Sequence, residues 1–548
     1  MADAAGPVAE PASRPAPSDR KWVPPCVLFL TLIAVYHANG GFLPSRDALP
    51  NLYLPVNLLS RGSLSFAPQE SPFMFTWELS GPLGGKTISI DSWDSELLPG
   101  VPARQVYESG ILKPKPRYFL IPSEKQGRYV NIYGPGAGLT AIPFFAVLSI
   151  AGAGWRADSG VLGYEGKVFA SACVAGSAVL VYLTLSLHLS RAISLGLAFL
   201  YGLGTCVWTE PSQALWQQTP ALLFVAAGTY GLLRMVEGWK YAAGAGFAYG
   251  MAALCRPTLG LLLGAVGLYV LLKDRKKSLL PYAAAGALPV LLLFSYTAWF
   301  MGSPVRFGQA QAARKLAMLI NGTEDIWQTP LWEGAAGLLL SPSRGLLVFS
   351  PFLAFAFWGA IECWRSSLFI PLRAVGLAAL ALVGVSAKWF EWWGGWCFGY
   401  RMIVELTPLW MVFLIPIAGR VFERKPLRFL FAGCAVWAVV VQALGAFAFD
   451  PNAWNGRPGF EVREAGKAEG SIFVLEADAT KAVASNPAAS IARVPMDISS
   501  PRFRKRLWSV EDGQIAFLMT PGSLEAGRKT RRWLVSESFK EKTETQVR

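Results

Sequence analysis

The sequence predicts an all-α polytopic membrane protein, and three observations carry that prediction. Of the 548 residues, 53% are hydrophobic and only 16% are charged, which is too apolar for an ordinary soluble domain. The apolar residues gather in runs long enough to cross roughly 30 Å of hydrocarbon. The basic residues behind the formal charge of +14 sit in short clusters between those runs. That placement is the pattern of topology signals and anionic-lipid contact, not of nucleic-acid binding. The cysteines, Cys26, Cys173, Cys206, Cys255, Cys363, Cys397 and Cys434, are scattered through apolar runs without a CxxC pair or metal spacing and read as packing residues. With only His37 and His188 in the chain, the sequence argues against a histidine triad or a His-rich metal site.

Residues 1–21 are rich in Ala, Pro and Ser and read as a disordered cytoplasmic tail. The run Val23 to Leu43 is long enough to span and lacks a small-residue cleavage site, so it reads as a retained anchor. It ends at Gly40 to Pro50, where Asp47 appears at the membrane boundary; taken alone, such an acid is a helix-end cap. Residues 44–165 form a first external loop rich in Pro, Gly and aromatic residues, too long for a simple connector. Within it, Asn51 to Leu59 reads as a short amphipathic interfacial helix, and Asp91 to Glu96 (DSWDSE) as a solvated acidic turn.

The run Gly136 to Gly152 is short and contains Pro143, and whether it crosses decides the topology of everything downstream. If it does not cross, Arg191, Arg234, Lys240, Lys273, Arg275, Lys276, Lys277, Arg365, Arg373, Arg420, Arg424, Lys425 and Arg428 all face the cytoplasm; if it does, they all face outward. The positive-inside bias therefore favours about eleven spans, with Gly136 to Gly152 as a juxtamembrane or re-entrant helix. The spans after the first are expected near Gly166 to His188, Ile193 to Trp208, Gln217 to Met235, Tyr241 to Leu254, Thr258 to Leu272, Leu279 to Met301, Gly345 to Trp364, Leu372 to Ala387, Ile403 to Gly419 and Phe429 to Phe449. Residues 22–449 then form the membrane domain. Residues 450–548 form a small extracytoplasmic domain of α/β or β-containing type, with apolar runs at Ser471 to Leu475 and Ile515 to Met519.

This topology collects polar groups on the outer face. Asp47 follows the first span, Glu210 to Gln218 joins two spans, and Arg256, Arg344 and Arg401 stand at outer helix ends, where insertion disfavours cations. Guanidinium forks held there suit a membrane-embedded phosphate, although a lone interfacial Arg also snorkels to headgroups. The segment Lys388 to Arg401, KWFEWWGGWCFGYR, adds Lys388, Glu391, Trp392, Trp393 and Tyr400. Its tryptophans suit either an aromatic belt or stacking on sugar and prenyl groups. Gln213, Trp216, Gln217 and Gln218 are placed to hydrogen-bond hydroxyls or to solvate a loop.

The layout resembles the C-type (GT-C) superfamily of integral-membrane glycosyltransferases, the group of the protein O-mannosyltransferases and the lipid A aminoarabinose transferases. The resemblance rests on the acid after the first span, the large first external loop, Tyr133-Gly134-Pro135-Gly136, Cys255-Arg256-Pro257-Thr258, LLLSPSRGLLVFSP from Leu338 to Pro351, WWGGWCFGYR from Trp392 to Arg401, and Arg506-Leu507-Trp508 with Gln514. It covers about residues 22–450. It departs from the superfamily in having Arg46 where many members place a second acid beside the first, and Gln218 where a His is frequent.

The resemblance implies a GT-C-like helical bundle of the cytoplasmic membrane whose active site faces the extracytoplasmic side. A polyprenyl-phosphate sugar is the expected donor and a lipid, glycan or protein hydroxyl the acceptor, with membrane lipids as further partners and no nucleic acid. Asp47 is the expected general base. Arg256, Arg344, Arg401 and Lys388 are expected on the lipid phosphate, and Glu210, Gln217, Gln218, Trp392, Trp393 and Tyr400 on the substrates. No cofactor is assigned, and a divalent metal ion is left open. Two rivals stand beside this reading: a secondary transporter, and a ligase or polymerase that moves lipid-linked glycans.

Overall fold

A computed structural model describes residues 22–43, 45–80, 87–90, 92–98, 100–152, 160–273, 277–463, 472–474, 490–525 and 527. The tail expected to be disordered, residues 1–21, lies outside them. The chain is mostly helical. Val161–Leu185, Leu279–Met301, Ile370–Lys388 and Lys425–Ala448 are each long and apolar enough to cross a membrane. A fifth crossing results if Arg401–Val412 and Ile415–Glu423, bent by 41°, make one span. Apolar helices of this length point to a membrane protein.

The difference from the longer apolar runs read in the sequence has a physical cause, because several runs are broken. Gly345 to Trp364 splits into Leu346–Phe349, a 3-10 turn Pro351–Leu353 and Ala354–Arg365, since Pro351 has no N–H to continue the ladder. Ile403 to Gly419 breaks at the non-helical Ile403 and again near Pro416. Val23–His37, Arg191–Leu203 and Pro257–Lys273 are helical but shorter than the four long helices, and Gly136–Ile150 has 15 residues.

We label the helices α1 (Val23–His37), α2 (Leu49–Arg61), α3 (Ala103–Glu108), α4 (Gly136–Ile150), α5 (Gly160–Leu185), α6 (Arg191–Leu203), α7 (Gln218–Leu233), α8 (Trp239–Cys255), α9 (Gly260–Lys273) and α10 (Leu279–Met301). α8 and α10 lie in very close contact. A Cβ on Gly246 would come within 2.0 Å of the Tyr282 carbonyl and one on Gly250 within 2.5 Å of that of Gly286, so only small residues allow this approach.

The described residues between 45 and 150 form helices and small sheets. The helix expected at Asn51 to Leu59 forms as α2, but Leu52, Tyr53 and Leu54 are buried, and its face lies against α4. An antiparallel sheet pairs Phe75–Leu79 with Thr87–Ser89 on one side and Leu112–Pro116 on the other, and a hairpin joins Leu120–Pro122 to Tyr129–Asn131. Trp77, Trp93 and Phe119 make an apolar cluster that continues into Tyr296, Phe300 and Met301 of α10. This shared cluster anchors the loop to the helices.

After Asp450, Pro458–Arg463 pairs with Ile472–Val474 and Ser490–Pro495 in a three-stranded antiparallel sheet. Gln514–Leu518 is a short helix where the apolar run had suggested strand content. Ile498, Leu507, Ile515 and Leu518 join the main apolar cluster of the helix bundle.

Candidate functional site

Asp47 is placed by a turn that the sequence writes locally. α1 stops before Gly40, whose φ of 70° reverses the chain, and the Leu43 N–H then donates to the Gln213 carbonyl at 3.2 Å. The 3-10 turn Arg46–Ala48 follows and leads into α2. The Asp47 carboxylate accepts from Arg401 Nη1 at Oδ2, 3.0 Å, and from the Tyr118 hydroxyl at Oδ1. Tyr133 stands beside the same carboxylate.

Arg401 reaches Asp47 because its own loop folds tightly. Gly394, Gly395 and Gly399 have φ of 75°, 70° and 60°, a region that strains any residue with a Cβ. The resulting turn lets Arg401 Nη2 donate to the Gly394 carbonyl at 2.7 Å. The guanidinium carbon lies 4.6 Å from the centre of the Trp216 ring, and the Nε is buried with no hydrogen-bond partner. Arg401 is therefore held on three sides, with its Nε still unfilled.

Two further carboxyls feel this pair. Glu210 is buried, and its Oε1 accepts from the Phe398 N–H while Oε2 has no partner. Burial pushes its carboxyl up to about 7, against the pull of Arg401 and the Phe398 N–H. Glu391 is half-buried; its carbonyl accepts from the Gly394 N–H at 2.9 Å, while its carboxylate makes no hydrogen bond or ion pair among the described residues. Burial pushes it up to about 7 as well, with Arg401 opposing the shift and Asp47 adding to it. Both carboxyls are thus held above the usual carboxylate range, beside an aspartate and an arginine.

No protein-family model matches the chain, and no curated protein is significantly similar to it. The geometry therefore carries the functional argument. Among the described residues no group of three or more His, Cys, Asp or Glu side chains is placed to hold a metal ion.

The other residues expected at the site are held in different ways. Arg344 is 1% exposed and fully engaged, donating to Gln514 Oε1, Asn455 Oδ1 and the carbonyls of Trp393, Ser343 and Gly395. Arg256 is buried against Glu405 and also donates to the Met402 carbonyl at 3.1 Å. Lys388 ends its helix half-buried, with no ion pair or side-chain hydrogen bond among the described residues. Trp392 fills a gap over Gly337 and meets Trp508, while Trp393 lies under Arg504 at 4.9 Å with its indole N–H unpartnered. Tyr400 accepts from the Cys206 N–H and shares a hydrogen bond with Ser350, tying two breaks in the bundle together. Gln217 and Gln218 open the helix Gln218–Leu233, and each has a buried side-chain carbonyl oxygen without a partner.

The structure thus joins Asp47 to Arg401, sets Glu210 and Glu391 around them, and places Trp216 beneath the guanidinium. Tyr118 was not among the expected residues; its signal is faint, one tyrosine in a loop rich in aromatic residues.

Proposed function

We propose that the protein transfers a sugar from a polyprenyl-phosphate donor to an acceptor hydroxyl, with inversion, at the extracytoplasmic face of the cytoplasmic membrane. The observation that carries the reading is the Asp47–Arg401 ion pair, which joins residues 354 positions apart into one acid–base and cationic centre. Asp47 takes the proton of the acceptor hydroxyl as its oxygen bonds to the anomeric carbon. The bond from that carbon to the phosphate oxygen breaks, its electron pair stays on the phosphate, and Arg401 stabilises the growing charge.

Arg344 holds the loop that presents Arg401, and Arg256 stays with Glu405. Lys388, Gln217, Gln218 and Trp393 offer further contacts to phosphate, hydroxyls and ring faces. About eleven crossings, with broken helices completing several of them, would place all these groups on one face. On this reading the described residues after Asp450, which bring Asn455 and Gln514 to Arg344, belong to a small extracytoplasmic domain on that face.

The test is transfer by the purified protein in vesicles supplied with a panel of polyprenyl-phosphate sugars. Near-normal transfer by Asp47→Asn sinks the base assignment. The bent pair Arg401–Val412 and Ile415–Glu423 also suits a secondary transporter, whose helices are often broken at the binding site. Ligand accumulation in vesicles without a covalent product would favour that second reading.

A further inference from the structure

We infer that a cleft between the first loop and the end of α10 binds an anionic membrane lipid, holding its phosphate and the upper part of one chain. The hairpin turn after Leu120–Pro122 is fastened to the last turn of α10. Ser123 Oγ and the Glu124 N–H both donate to the Phe300 carbonyl, at 3.0 and 2.8 Å, filling an acceptor that a helix end leaves open. This seats the Lys125 ammonium 3.9 Å from the centre of the Trp299 ring, at the mouth of a cleft of about 660 Å³. Ligand pockets run from about 300 to 1,000 Å³, so the space suits a headgroup and part of a chain and is too small for a whole lipid.

The walls favour that occupant. Leu139 of α4 and Leu292 of α10 line an apolar channel, and Ser295 and Trp299 stand on the exposed face of the same helix. Tyr296 also lines the cleft, and its hydroxyl is buried without a hydrogen-bond partner. The charges nearby leave one cation open. Arg128 is neutralised by Glu70, and Glu124 is engaged by Arg306, whereas Lys125 has no carboxylate partner among the described residues.

The lining of the cleft includes none of the residues placed around Asp47, although Pro135 on one wall is two positions from Tyr133; Gly62 to Ser65 on the other wall follow α2, whose 13 residues span roughly 20 Å at 1.5 Å per residue. The inference therefore does not rest on the proposed glycosyl transfer.

The test places full-length protein in phosphatidylcholine nanodiscs, titrates phosphatidylglycerol and counts retained lipid by native mass spectrometry. Wild type should retain phosphatidylglycerol in preference to phosphatidylcholine. Lys125→Ala should weaken retention about fivefold, the scale of one lysine contact to an anionic lipid. Ser295→Trp should abolish it by filling the channel, and unfolding temperatures should match wild type for both variants. Inorganic phosphate should not compete. Equal retention of the two lipids, wild-type retention in either variant, or displacement of the lipid by phosphate alone would each overturn the assignment.

Discussion

The Asp47–Arg401 pair makes a prediction whose size follows from its burial. The side chains are 18% and 15% exposed, close to a buried pair and far from a surface one. Removing one partner of a buried pair costs about 3–5 kcal/mol, against about 0–1 kcal/mol for a surface pair. Asp47 keeps its hydrogen bond to Tyr118 when Arg401 is lost, so Arg401→Gln should cost about 2–4 kcal/mol, including the lost contact to Gly394. Asp47→Asn, which strands a buried guanidinium, should cost a similar amount. The double variant leaves no unpaired charge and should be more stable than the sum of the singles by at least ~1.5 kcal/mol. Unfolding in detergent, followed by tryptophan fluorescence against denaturant, measures all four proteins. Transfer should fall at least about a hundredfold in every variant, the double included, because the base is absent or unsupported. Strictly additive stabilities would refute the coupling. Activity returning in the double variant would refute the roles given to the two residues.

The remaining predictions concern protonation and packing. Glu210 and Glu391 have folded-state pKa values raised to about 7, so the folded protein holds protons that the unfolded chain has released. Stability should therefore fall as pH rises from about 4.5 to 7, and Glu210→Gln should flatten that fall in unfolding temperatures taken across the range. Gln514→Ala deprives Arg344, the Gly399 N–H and the Cys397 carbonyl of partners. It should cost about 2–4 kcal/mol and speed protease cleavage in the loop that carries Arg401, read by unfolding and limited proteolysis. At Gly359 a Cβ would lie 1.6 Å from the Phe413 carbonyl. Gly359→Ala should lower stability by about 1–3 kcal/mol or more as the helix is pushed off the broken span, and thermal unfolding checks it.

Charge placement in the sequence put Asp47 and Arg401 on one expected membrane face, because insertion bias makes a cation at an outer helix end conspicuous, but their contact is visible only in the structure. The same signal could not separate Arg401 from Arg256 and Arg344. What distinguishes them is their partners, and Glu405, Gln514 and Asn455 lie 149, 170 and 111 residues away from the arginines they hold. Hydropathy showed that residues 345–364 and 403–419 were apolar but passed over the breaks, although Pro351 and Pro416 marked them. Burial of α2 was equally hidden: its amphipathic pattern fits a membrane surface and a protein surface alike, and only the presence of α4 decides between them.

The pairing of Arg256 with Glu405 has a consequence for how the chain is made. The two side chains are 7% and 4% exposed, and neither is at home in hydrocarbon alone. Synthesis at about 5–20 residues per second puts roughly 7–30 s between them, since they are 149 positions apart. For that interval the arginine has no counter-ion and has to wait in water or among headgroups, so the segment it ends cannot settle until the later one arrives. Assembly of the bundle is ordered by this bond, and variants lacking one of the two charges should be cleared by membrane quality control faster than the variant lacking both.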